Sequence, residues 1–189
     1  MSSNKVIIFS APSGSGKTTL VQHLLTKFPK LRFSVSATTR PPRAYEQNGK
    51  DYYFISKEAF EAKIALQDFV EYEQVYQGAY YGTLKSELLR LHNDQKIVLF
   101  DVDVVGGKNL KNYFGQNALA IFVKVPSLEI LEQRLRKRGS ESEESIQKRV
   151  QKADKEVIFE QFFDYTLIND QLEIAFEELE NLVRKFLEN

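Results

Sequence analysis

The chain has 189 residues, 42% hydrophobic and 28% charged, with 26 basic and 26 acidic side chains and no net charge. This is the composition of one ordinary globular domain, or of one domain carrying a small inserted lobe, and nothing global in it calls for a nucleic-acid or membrane surface. The absence of cysteine removes disulfides, thiolate metal sites and a cysteine nucleophile, and no apolar run approaches the roughly 20 residues that span a bilayer. The N-terminus carries no signal-peptide pattern, so a cytoplasmic location is the expectation. The two histidines, His23 and His92, are far apart and read as helix-surface residues rather than metal ligands.

In chain order, "KVIIFS" (5–10) is a short β-branched apolar run, a buried strand. From Thr18 onward Leu20, Leu24, Leu25 and Phe28 recur at helical spacing until Pro29. "RFSVSAT" (32–38) alternates like a strand, and a polar loop with two prolines and a glycine follows over 38–50. "DYYFI" (51–55) reads as a strand, and Ser56 as the cap of a helix from Lys57 to about Gln67. "FVEYEQV" (69–75) and "GAYYGT" (78–83) form a hairpin, and 84–93 is helical. "KIVLFDVD" (96–103) and "ALAIFVKV" (118–125) are apolar strands, the second followed by a helix start at Pro126 and Ser127. Helical patterns run to about 137 and from about 142 to 162. "YTLIND" (165–170) is the last strand and 171–187 the last helix. Strands alternate with helices at both ends, which favours a parallel sheet covered on both faces, whereas the middle reads as an inserted mixed lobe.

The first strand runs into "APSGSGKT", residues 11–18. This meets G-x-x-x-x-G-K-[ST] except that Ala11 stands for the first glycine. Glycines let successive backbone N–H groups curl around an anion, and the loop ends at a helix N-terminus, which favours phosphate. The loop therefore reads as a cradle for the phosphates of a nucleoside triphosphate, built from Ala11, Pro12, Ser13, Gly14, Ser15, Gly16, Lys17, Thr18 and Thr19. Lys17 would reach the β- and γ-phosphates, and the Thr18 hydroxyl would hold Mg²⁺. The bland alternative is a flexible strand-to-helix turn. A GTPase switch is a further alternative: "DVVG" (103–106) matches D-x-x-G, but "LIND" (167–170) lacks the lysine and spacing of an N-K-x-D base reader.

Seven of the nine tyrosines fall between 45 and 81, interleaved with Arg40, Arg43 and Glu71. Two readings stand side by side: a polar ligand site, or a small aromatic core beneath a hairpin, and composition alone favours the core.

Taken together, "SAPSGSGKTTL", "FSVSATTRPPRAYEQNGKDYYF", "YYGT", "LFDVD", "RLRKRGSESEESIQKR" and "LIND" resemble guanylate kinases along nearly the whole chain. The resemblance implies that Arg40, Arg43, Tyr52 and Tyr81 hold the GMP phosphate, that Ser36, Glu71 and Thr83 read the guanine, and that Asp101 and Asp103 lie near GMP and the magnesium ion. Asn169 is where the family contacts the adenine of ATP, although by sequence alone it is equally a turn after a strand. The chemistry agrees. Two arginines three apart offer several N–H donors to one phosphate, and a carboxylate can accept from guanine N1–H and the 2-amino group, an edge adenine lacks. The Ser36 and Thr83 hydroxyls can donate to guanine O6. Two departures stand out: Val105 replaces a polar residue in "DVDVVG", and Tyr45 replaces a glycine in "PRAYE".

The stretch 134–150 is basic and broken by Gly139 and a Ser140-x-x-Glu143 capping pattern. Charge alone reads as a solvated face. In a chain with a phosphate loop, it reads as a lid carrying Arg134, Arg138 and Arg149 to the transferring phosphoryl group. The expected fold is thus an α/β P-loop core (1–32 and 84–189) with a parallel sheet flanked by helices, an inserted mixed α/β GMP-binding lobe (33–83) and a helical lid (134–150). Lys17, Arg40, Arg134, Arg138 and Arg149 are the expected catalytic residues, and Thr18, Asp101 and Asp103 the expected metal-side ones. The expected partners are ATP, GMP and, with them, dGMP. Two rival classes are a scaffold-type binding module, which typically lacks the loop glycines and lysine present here, and a kinase of a ribose bisphosphate, which would have no use for a guanine reader.

Overall fold

The computed structural model describes residues 5–76, 78–137, 139 and 142–188. Its centre is a five-stranded, all-parallel sheet of β1 (Val6–Ser10), β2 (Leu31–Phe33), β7 (Ile97–Val102), β8 (Ala118–Lys124) and β9 (Tyr165–Ile168) in the order β2-β7-β1-β8-β9. Parallel pairing needs crossovers, and these are the helices α1 (Lys17–Lys27), α3 (Lys85–Asn93), α4 (Val104–Phe114), α5 (Leu128–Lys137) and α6 (Glu143–Glu156), with α7 (Leu172–Glu188) closing the chain. Because helices cover both faces, the inner strands are apolar at every position rather than alternating: Val6 to Phe9 and Ala120 to Val123 are fully buried. One face packs Ile7, Phe9 and Ile121 on Leu20 and Leu24 of α1 and Leu179 and Val183 of α7. The other packs Ile8, Phe100 and Ala120 on Leu91 of α3 and Leu110 of α4.

A second, four-stranded sheet stands apart, ordered β4 (Tyr53–Phe54), β3 (Ala37–Thr38), β6 (Ala79–Leu84), β5 (Phe69–Tyr76), with α2 (Lys57–Ala65) against it. Its own small core is Ala37, Phe60, Phe69 and Leu84, with Phe60 stacked on Phe69 at 4.3 Å and on Tyr80 at 5.4 Å. The tyrosine-rich stretch therefore divides. Tyr53 and Tyr80 pack against this core, whereas their neighbours Tyr52 and Tyr81 line a cleft. Strand alternation sends adjacent residues to opposite faces, so the small core takes one set of tyrosines and the cleft the other.

Several expectations need correction. The alternating stretch 32–38 is not one strand. Ser34 N–H still bonds Leu99 of the main sheet (2.9 Å), but by Ala37 the chain has joined the second sheet. The expected strand 51–55 shrinks to Tyr53–Phe54, with Tyr52 in an isolated bridge to Asn48, and the helix expected over 142–162 ends at Glu156 and continues as a 3-10 turn over Val157–Phe162. Ser142, not Ser140, caps α6, accepting from the Ser145 N–H at 3.3 Å; Ser140 lies outside the described residues. His23 is no idle surface group: its ring stacks on Phe176 at 3.7 Å and bonds Glu180 at 2.7 Å, joining α1 to α7. His92 Nε2 is buried and has no hydrogen-bond partner.

The crossing between the two sheets is held by Glu87, whose residue is 2% exposed. Its carboxylate accepts from the Val35 N–H (3.1 Å), the Tyr53 hydroxyl (3.0 Å) and two N–H groups of Arg90 (2.8 and 2.9 Å). Burial alone would raise its pKa, but these donors outweigh burial and hold it below the usual carboxylate value. A carboxylate with a depressed folded pKa adds stability above its unfolded value, near 4.3, and that contribution fades as pH falls through the folded one. Glu87→Gln is therefore expected to lose about 2 kcal/mol at neutral pH. Denaturant midpoints measured down the pH scale should show the gap from wild type closing below about pH 4.

Candidate active site

The loop after β1 is shaped by two glycines in the left-handed region, Gly14 (φ 100°) and Gly16 (φ 84°). Ser15 folds back on the loop, its hydroxyl and N–H both donating to the Pro12 carbonyl (2.8 and 3.2 Å). From the last strand, the buried Asn169 side-chain N–H donates to the Ser15 carbonyl at 2.8 Å. A Cβ on Gly16 would lie 2.3 Å from that amide nitrogen, so glycine is required here by space as well as by φ. Lys17, the first residue of α1, is ion-paired with Asp101 and donates to the Val102 carbonyl at 2.8 Å. Thr18 and Thr19 are exposed at the helix start, and the Thr19 N–H donates to the Gly16 carbonyl at 3.1 Å.

Facing this loop, the second sheet supplies the opposite wall. A cavity of about 430 Å³ is lined by residues 11–18 on one side and by Ser36, Arg43, Tyr52, Glu71 and Tyr81 on the other, with Asp101, Asp103 and Arg149 at its floor and lid side. It is thus a single cleft with a phosphate cradle at one wall and a cluster of arginine, phenols and a carboxylate at the other. Tyr52 sits edge-on to Tyr81 at 5.9 Å, and burial pushes its hydroxyl pKa up to about 12, so it is a neutral donor at any working pH. Glu71 is 8% exposed and accepts from the Thr83 hydroxyl at 2.8 Å. Burial, opposed by that bond and reinforced by the Asp103 charge, raises its pKa to about 7. Gly106 leaves room for it: a Cβ there would come within 3.2 Å of Glu71 Oε2.

Five expected site residues do not line the cavity. Thr83 spends its hydroxyl proton on Glu71 and so orients the carboxylate. Arg40 directs its donors inward: Nε to the Tyr81 hydroxyl (3.1 Å), Nη1 to the Pro41 carbonyl (2.7 Å), and both Nη groups to Glu46 (2.9 and 2.8 Å), while its plane lies over Tyr52 at 5.4 Å. Asn169 is committed to the loop backbone, as above. Thr19 stays in the first turn of α1. Arg134 donates to the Asp170 carbonyl at 3.2 Å. Arg149 does reach the cradle, donating to the Ser13 hydroxyl. Arg138 lies outside the described residues.

The sequence reading passed over Glu46, Glu73, Lys152 and Glu156. Glu46 clamps Arg40 and accepts from the Arg43 N–H at 2.7 Å; the Arg40 guanidinium, foremost, holds its carboxyl at about 2. Its signal was the charge pair Arg40–Glu46 in one loop. Glu73 lines the cleft two residues beyond Glu71, on the same strand face. Burial and then the adjacent Asp103 carboxylate raise its pKa. Lys152 and Glu156 follow Arg149 at helical spacing and line the same cleft. Asp103 also caps α4, accepting from the Gly106 N–H at 3.0 Å. The two departures are placed as well. Tyr45 is exposed and its hydroxyl accepts from Arg43 Nη1 at 3.1 Å, while Val105 is exposed on α4.

A family model described as guanylate kinase matches residues 3–186. The chain belongs to the guanylate kinase family. Among curated relatives, a guanylate kinase of Porphyromonas gingivalis is 50% identical over 184 residues, covering 97% of this chain and 98% of that one. One of Salinibacter ruber is 43% identical over 187 residues, covering 99% of both. A crystal structure of guanylate kinase from Anaplasma phagocytophilum superposes with a TM-score of 0.74 at 25% identity, covering 98% of this chain and 87% of that one. The GTPase, scaffold-module and sugar-kinase alternatives therefore give way to a guanylate kinase reading. Among the described residues no helix is long and apolar enough to cross a membrane.

Proposed function

We propose that the chain transfers the γ-phosphoryl group of ATP to GMP, yielding ADP and GDP, and that it does so in the cytoplasm without nucleic-acid partners. The observation that carries this reading is the sharing of one cleft by the phosphate loop and by Arg43, Tyr52, Tyr81 and Glu71. Loop amides and Lys17 hold the donor phosphates; Arg43, Tyr52 and Tyr81 hold the acceptor phosphate opposite them. Arg40 keeps Tyr81 and Glu46 in place and lends charge. The GMP phosphate is already anionic at neutral pH, so positioning and charge neutralisation suffice and no strong general base is needed. Arg149, with Arg138 and Arg134, neutralises the transferring group, and closure of 134–150 excludes water. In domain terms, 33–83 carries the acceptor, and 1–32 with 84–189 carries the donor.

The donor set also fits Mg²⁺. Hydroxyl and carboxylate oxygens (Thr18 and Asp101, with Asp103 beyond) stand beside the cradle, and among the described residues no cluster of three or more acidic or histidine side chains could hold a cation unaided. That suits an ion that retains waters and takes phosphate oxygens as ligands. Magnesium would supply charge neutralisation between the β- and γ-phosphates.

The reading is tested by ADP formation from Mg·ATP with GMP, dGMP, AMP, UMP or CMP offered separately. Turnover with the guanine nucleotides alone is expected. Turnover with another base would discard the base reader, and GMP binding without any turnover would discard the kinase. Glu71→Gln is expected to cut the preference for GMP over AMP by about 100-fold, because the amide replaces one guanine-facing acceptor with a donor. An unchanged preference in the same assay would remove Glu71 as the base reader.

A further inference from the structure

We propose that Glu73 is a specificity-determining residue that accepts a hydrogen bond from the ribose 2′-hydroxyl of the acceptor nucleotide, making the enzyme prefer GMP to dGMP. The inference rests on the acceptor-site reading above. Its starting point is strand register: β5 and β6 are antiparallel, with Glu71 opposite Thr83 and Glu73 opposite Tyr81. Paired residues share a face, and Glu71, Glu73 and Tyr81 all line the cleft. The Glu71–Thr83 pair forms the base end of this wall, and Tyr81, with Tyr52, the phosphate end. Glu73 lies one step from Glu71 along the strand, about 7 Å, on the Tyr81 side. What lies between the base and the phosphate of a nucleotide is its sugar.

The carboxyl itself asks for a donor. Among the described residues, Glu73 Oε2 is buried and has no hydrogen-bond partner. A buried acceptor left unpaired is costly, and the neighbouring Asp103 and Glu71 carboxylates add charge of the same sign. Lys152 is the nearby cation, but it also pairs with Glu156 at 3.4 Å. A ribose hydroxyl brings the missing donor without an extra charge. The 2′-deoxy sugar has no such group and would leave Oε2 unpaired, the kind of mismatch by which polar sites reject an analogue that lacks a hydroxyl.

The test is kcat/KM for GMP, dGMP and IMP with Mg·ATP, for wild type, Glu73→Ala and Glu73→Gln. Wild type is expected to favour GMP over dGMP by about tenfold or more, Glu73→Ala to bring the two within about twofold, and Glu73→Gln, which keeps an acceptor oxygen, to lie between. The GMP-to-IMP ratio should not move. The proposal is overturned if wild type treats GMP and dGMP alike, if the variants lose both in parallel, or if the GMP-to-IMP ratio falls instead, which would assign Glu73 to the 2-amino group. A wild type that uses no guanine nucleotide at all would take the kinase reading down with it, a result distinct from these.

Discussion

Lys17→Met is expected to reduce phosphoryl transfer by about 100- to 1,000-fold, the usual cost of losing one preorganised stabilising donor, while leaving GMP binding largely intact. The asymmetry follows from the two walls of the cleft. Lys17 opens α1 on the donor side, whereas the acceptor wall is built from a different sheet. Its ammonium is ion-paired with Asp101 and donates to the Val102 carbonyl at the end of β7. A methionine keeps the stem's bulk and removes only the charge. Single-turnover transfer and calorimetric titration with GMP together check the expectation. Transfer retained within about tenfold would mean that the lysine is not the charge that the donor phosphates need.

Gly16→Ala is expected to be damaging in two ways at once. The left-handed φ of 84° costs an alanine about 1 to 2 kcal/mol, and the new Cβ would sit 2.3 Å from the Asn169 amide. Displacing Asn169 would strand the Ser15 carbonyl, adding about 1 to 3 kcal/mol. For a chain of this length the melting temperature should fall by roughly 5 to 15 °C, and KM for ATP should rise steeply. Asn169→Ala in the Gly16→Ala background relieves the clash but not the strain, so part of the stability should return. A Gly16→Ala protein as stable and as active as wild type would show that the last strand does not clamp the loop.

Much of this architecture was legible from the residues. The phosphate loop announces itself because its backbone needs are met by few amino acids in a fixed order. The inner strands β1 and β8 stand out because burial on both faces makes their runs continuously apolar. What was not legible depends on partners distant in sequence. That Thr83 serves Glu71, that Arg40 is tied to Tyr81 and Glu46, and that Asn169 grips the loop are statements about pairs, and a single chain read in order shows only one member at a time. The stretch 32–38 misled for a related reason: alternation says that a segment is extended but not which sheet it joins. Glu73 was passed over although Glu71 was noticed, because the cleft-facing parity of β5 becomes visible only once the cleft exists.

The order of the central sheet also bears on how the protein is made. β1 precedes the other strands of its sheet in sequence, yet it lies between β7 and β8, pairing Val6 with Val98 and with Ala118. The glycine loop that follows is then braced by an asparagine 154 residues downstream of the carbonyl it holds. Contacts so distant in sequence are slow to close and cannot form while the chain is still being extended. The glycine loop is therefore made before the asparagine that braces it, and its assembly waits for β9. Until β9 is in place, the loop that carries Gly14 and Gly16 lacks the brace that Asn169 gives the Ser15 carbonyl.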